Sequence, residues 1–171
     1  MTQLTDDEYS ELHPHFSDDG NYLLFSTDEL SMQRGRTRGK WVFNIAELDI
    51  VSGEKQHIEV FRGADNLNPV YDVNGNIYFL SNRDGFRNLY LYEPGSGKVF
   101  QQTEFLTGIS GITHYAPAIS IARKRDRITY MHYSNNGYNI YKARPEDFLS
   151  IEVDPQAVDF SAAELPRVNP N

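Results

Sequence analysis

Five histidines, a scatter of aspartates and one serine between glycines are the residues of this chain that could do chemistry. His13 and His15 alternate along a candidate strand, so both imidazoles share one face, with Asp18 close behind. That grouping is a weak zinc candidate: the spacing implies no further ligand, and the His-Glu-x-x-His pattern of zinc peptidases is absent. His132 falls inside a strand and is expected to be half-buried and hydrogen-bonded. Asp18, Asp19, Asp72, Asp84 and Asp126 fall mostly in turns, where a carboxylate serves backbone geometry. None has the spacing of a calcium loop. Asn88 and Asn139 precede matching strands and are expected to make structural hydrogen bonds. Ser110, in Gly108-Ile109-Ser110-Gly111, lacks the residue between serine and glycine that a nucleophile elbow requires. The glycine-rich segments lack the Lys-Ser/Thr of a phosphate loop. Without cysteine there is no thiol catalysis, disulfide or Cys-ligated metal. The sequence therefore points to no catalytic, cofactor or metal residues.

One segment stands out by charge. Arg34-Gly35-Arg36-Thr37-Arg38-Gly39-Lys40 places four cations in seven residues, on a chain whose net charge is -8. A solvated loop is the first reading of Arg34, Arg36, Arg38 and Lys40; docking onto an acidic partner is the second. No aromatic side chain interleaves them, and the acidic balance opposes a general nucleic-acid binder. No apolar run is long enough for a transmembrane helix, and the acidic, polar opening MTQLTDDEYSEL does not read as a signal peptide.

The elements around these residues repeat. His13-Pro14-His15-Phe16-Ser17-Asp18-Asp19-Gly20-Asn21 and Asn68-Pro69-Val70-Tyr71-Asp72-Val73-Asn74-Gly75-Asn76 share Pro, aromatic, Gly and Asn at the same offsets, and a strand follows each, Tyr22 to Ser26 and Ile77 to Ser81. A third copy begins at Ala116-Pro117 and continues to a strand over Arg127 to Tyr133, its turn lacking glycine. Asn82-Arg83-Asp84-Gly85-Phe86-Arg87-Asn88-Leu89-Tyr90 recurs as Ser134-Asn135-Asn136-Gly137-Tyr138-Asn139-Ile140-Tyr141, one residue shorter after the glycine. Gly53 and Gly97 stand 44 residues apart, while Pro14 and Pro69 stand 55 apart, which places an insertion near Glu29 to Lys40. Asp-Gly and Asn-Gly between apolar runs predict hairpins: Asp19-Gly20, Asn74-Gly75, Asp84-Gly85 and Asn136-Gly137. Fourth strands are expected over Gln56 to Phe61, Lys98 to Thr103 and Phe148 to Val153.

The fold class is accordingly all-β: three four-stranded antiparallel propeller blades, a partial β-propeller forming one domain over 1-171, with blades at about 10-63, 64-106 and 112-153. Residues 154-171 form a tail, with one helical turn expected over Asp159 to Leu165 to cover an edge. Leu106 to Tyr115 reads as an inter-blade connection on one rim.

PHFSDDGNYLLFS, PVYDVNGNIYFLSNRDGFRNLYLY and the weaker PAISIARKRDRITYMHYSNNGYNIY resemble the WD40-like propeller repeat of the TolB family. The resemblance spans roughly residues 10 to 145 and implies a propeller fold, with little about activity. It implies a bacterial protein of the periplasm or cell envelope. It implies a non-catalytic interaction or structural module within a larger parent or, as the alternative, the accessory propeller of a peptidase whose catalytic residues lie outside this chain. Three blades are too few for a ring. The expected partners are therefore another protein, the remainder of a longer parent, or a second copy closing a six-bladed ring by two-fold symmetry.

Overall fold

The computed structural model describes residues 1–35 and 41–164. In chain order the strands are β1 (Glu11–Phe16), β2 (Tyr22–Thr27), β3 (Asn44–Asp49), β4 (Lys55–Ile58), β5 (Asn66–Tyr71), β6 (Ile77–Ser81), β7 (Asn88–Glu93), β8 (Lys98–Gln101), β9 (Ile119–Ala122), β10 (Arg127–Ser134), β11 (Gly137–Ala143) and β12 (Ile151–Val153). One short helix, α1 (Glu29–Gln33), occupies the start of the expected insertion. The strands form three antiparallel sheets, ordered β1-β2-β3-β4, β12-β8-β7-β6-β5 and β11-β10-β9. The architecture is an open, partial propeller.

Four strands per sheet hold only in the first. Phe148 to Val153, expected to complete the third sheet, instead returns to the second: Val153 pairs with Val99 and Ile151 with Gln101. The second sheet gains a fifth strand and the third is left with three. A hairpin also shifts. The turn between β10 and β11 is Asn135-Asn136, both at positive φ, with Gly137 already paired to Ser134. This is the two-residue turn that needs positive φ at both central residues, a conformation asparagine tolerates.

The sheets stack through two apolar seams. Between the first and second lie Leu24, Ile45, Phe61, Ile77, Phe79 and Tyr90, with the Phe61 ring edge-on to Tyr90 at 5.0 Å. The tail adds Val158 and Phe160 to this seam, and Phe61 N–H donates to Pro155 O at 2.8 Å. Between the second and third sheets lie Tyr78, Leu80, Leu89, Ile109, Ile119 and Ile128.

Pro14 and Pro69 lie inside β1 and β5 and interrupt the ladder, because proline has no N–H to give it. Register shifts fall between Leu12 and His15 and between Leu67 and Val70. The preceding residues, His13 and Asn68, sit at φ 58° and 54°. Both side chains then reach the next sheet. Asn68 N–H donates to His13 Nδ1 at 3.2 Å, and Asn68 Oδ1 accepts from Ala118 N and Ile119 N at 2.7 and 3.0 Å. In the third unit Ala116 holds this place and has no acceptor to offer.

Candidate functional site

In a meander, alternate connections gather at the same end of the sheet. The β2–β3, β4–β5, β6–β7 and β8–β9 connections therefore share one rim, and the side chains that could act lie there. Asp65, just before β5, anchors the arrangement. Its Oδ1 accepts from Phe43 N–H at 3.0 Å, its own N–H donates to Asn82 Oδ1 at 2.8 Å, and its Oδ2 lies 3.3 Å from His114 Nε2. Arg87, just before β7, lies against the same imidazole: Nη1 donates to His114 O at 2.6 Å and Nη2 lies 2.9 Å from Nδ1. The same Nη2 stands 3.3 Å from Nε2, so the guanidinium lies against both ring nitrogens of His114.

This is the carboxylate–imidazole half of a nucleophile triad. Its third position holds a guanidinium, which donates and cannot accept. The guanidinium thus occupies the space beside the imidazole where a serine hydroxyl would stand in such a triad. Burial pulls Arg87 below the ordinary arginine range, and the Asp65 charge opposes that shift. Tyr115 completes the group: its ring meets Phe43 edge-on at 5.2 Å, and its carbonyl faces His13 Nε2 at 2.7 Å.

The 106–115 connection is clamped onto Arg87. Ile109 N–H donates to Arg87 O at 2.6 Å. Gly108, at φ 70°, leaves room where a Cβ would stand 2.9 Å from that same oxygen. The clamp frames a cavity of about 420 Å³ lined by Arg87, Ser110, Thr113, His114 and Tyr138, among others.

The residues singled out by sequence have other duties. His13 and His15 are engaged within the chain: His13 uses both nitrogens there, and His15 Nδ1 accepts from Tyr71 N–H at 3.3 Å. Among the described residues no cluster of three or more His, Asp or Glu could hold a metal. His132 is partly buried, with Nδ1 donating to Gly108 O at 2.9 Å. Asp19, Asp72 and Asp84 each accept from backbone N–H groups of their own turns, and Asp126 sits at φ 47°. Asn88 Oδ1 accepts from Thr103 Oγ1 and Phe105 N–H; Asn139 bonds within its own hairpin. Of the basic loop, Arg34 pairs with Glu59 at 2.7 Å, and Arg36, Arg38 and Lys40 lie outside the described residues. Asp65, Arg87 and His114 come from three separate connections, and no sequence motif joins them. One signal was present: Arg87 lies in the stretch where the second unit is one residue longer than the third.

No protein-family model matches the sequence, and no curated protein does. Solved structures do match in fold. TolB from Acinetobacter baumannii aligns over 86% of this chain and 33% of its own length, at 18% identity and a TM-score of 0.55. A putative TolB from Agrobacterium tumefaciens aligns over 82% of this chain and 47% of its own, at 19% identity and 0.57. A puromycin hydrolase aligns over 89% of this chain and 23% of its own, at 15% identity and 0.57. The chain thus spans from 23% to 47% of the length of these proteins.

Proposed function

We propose that this chain is a non-catalytic propeller segment that binds protein through its third sheet, as part of a larger protein of the bacterial periplasm or cell envelope. The carrying observation is the difference between its two outer flanks. On the first sheet the outward apolar set, Leu23, Phe25, Ala46 and Leu48, is buried. Lys55 and His57 pair across from Leu48 and Ala46 and so share that face. Lys55 bonds Asp7 at 2.9 Å and also pairs with Glu29, and its ammonium lies over the Tyr9 ring. Residues before β1 thereby cap this flank. On the third sheet Tyr133, Tyr138 and Ile140 are exposed, Ile140 by 78%. Its outer strand β11 pairs with β10 on one side and with no strand on the other among the described residues, and a hollow of about 580 Å³ lies beside it, lined by Phe105, Tyr130, Ala143 and Phe148 among others. An open strand edge beside an apolar face is a template for a further strand.

A ring of two copies with the first flank against the third would have to displace the residues that cap the first. The reading therefore favours a partner, whether parent segment or separate protein, that meets the third sheet alone. The accessory propeller of a peptidase is the second reading, favoured by the fit onto a hydrolase structure; the reacting groups would then come from outside this chain. The likeness to TolB supports the envelope assignment.

Amide exchange tests the main reading. In dilute protein the β11 amides are expected to exchange far faster than those of β7, and to gain protection only when a partner covers them. Equal protection of β7 and β11 in the isolated chain would show that the third sheet needs no completion.

A further inference from the structure

We propose that the cavity beside Arg87 binds a peptide carboxylate, a role distinct from the third-sheet contact, with Tyr138 bordering both. Arg87 makes no ion pair among the described residues; its hydrogen bonds there go to the carbonyl and ring of a single histidine. A guanidinium carries five N–H donors in a fork that matches a carboxylate, and the bonds to His114 leave part of that fork unused. His114 is itself held by Asp65, so the cation is oriented before any ligand arrives. At about 420 Å³ the cavity falls in the range of small-ligand sites.

The lining suits the end of a peptide. Ser110 and Thr113 bring hydroxyls, and Ile112 and Tyr138 supply apolar surface. Ile112 is 82% exposed, so a ligand side chain could cover it. The chain's net charge of -8 does not steer anions in from a distance. Recognition must come from Arg87 at close range, and binding is expected to be modest in strength and selective for the carboxylate.

Nuclear magnetic resonance on the full chain tests this with three probes: acetyl-Ala-Leu as the free acid, the same peptide as its amide, and acetyl-Glu-Leu amide. The free acid is expected to shift the Arg87 Nε–H and the Gly111 and Thr113 amides saturably at up to millimolar concentrations, and the plain amide is not. Binding of the glutamyl amide as well would place an acidic side chain in the site; binding of the free acid alone would make it a chain-terminus site. Arg87→Gln is expected to weaken the free acid at least tenfold with the fold intact, and Arg87→Lys to weaken it less. Equal shifts from the free acid and the plain amide overturn the proposal, as does the absence of shifts from both carboxylates. Should Arg87→Gln fail to fold, the comparison of acid with amide on the unaltered chain still decides.

Discussion

The first and third sheets begin alike, with a Pro-led strand and a hairpin, and meet different surroundings. In the first, β2 and β3 are largely buried on both faces, against the second sheet on one side and beneath the capped flank on the other. In the third, β10 and β11 carry similar aromatic and aliphatic residues, yet Ile128 is their one buried apolar side chain among those described. Repeats of this kind gain little from their own sequence and much from the neighbours that dry them.

Removing packing should give the largest contrast. Phe79 is fully buried against Phe61 and Tyr90, and Phe79→Ala is expected to cost about 3–5 kcal/mol. Ile140→Ala, on the open flank, should stay within about 0.5 kcal/mol in the isolated chain. Denaturant titrations of both variants check the pair, and comparable losses would mean that the third sheet is already closed.

A smaller effect tests the tail, which packs on the second sheet and not the third. Gly85 sits at φ 90°, and a Cβ there would stand 2.6 Å from Ala163 Cβ. Gly75, at φ 81°, has open space around it, and Gly95 has neither constraint. Thermal melts are expected to rank the losses Gly85→Val, then Gly75→Val, then Gly95→Val. The middle one should be roughly 1–3 kcal/mol from backbone strain alone.

The smallest effect is a pH dependence at the junction between the first two sheets. Burial holds His13 below its ordinary value of 6.5, and the charge of Arg87 adds to this. Below about pH 6.5 the unfolded chain takes up a proton that the folded ring resists. The stability His13 contributes is thus complete above that pH and falls as the pH drops toward the folded-state value. His13→Asn copies Asn68, which occupies the same place at nearly the same φ, and should flatten this part of the profile while keeping an acceptor. Melting temperatures of both proteins across pH 5 to 8 would show it; parallel curves would remove His13 as the source.

Much of this was legible in the sequence. Proline before an aromatic and Asp-Gly or Asn-Gly before an apolar run determine backbone locally, so the strands and most hairpins could be read directly. The turn at Asn135-Asn136 was misread by one residue because asparagine can take the conformation expected of Gly137. β12 could not be placed: three residues of alternating apolar character suit any open edge, and which edge depends on tertiary contacts. The Asp65–His114–Arg87 group lay hidden for a related reason. Its members stand far apart in sequence, and only the stacking of two sheets brings their connections together.

The placement of β12 bears on how the molecule is made. The edge of β8 is sealed by residues that follow it by about fifty positions, and the best-packed seam is finished by Pro155 and Phe160. During synthesis the second sheet must therefore wait, one margin bare, while the whole third unit emerges. Folding of this chain cannot proceed strictly unit by unit from the N-terminus. Its long-range closure comes last and slows the process, and a nascent chain stalled before residue 151 would expose the β8 margin to self-association.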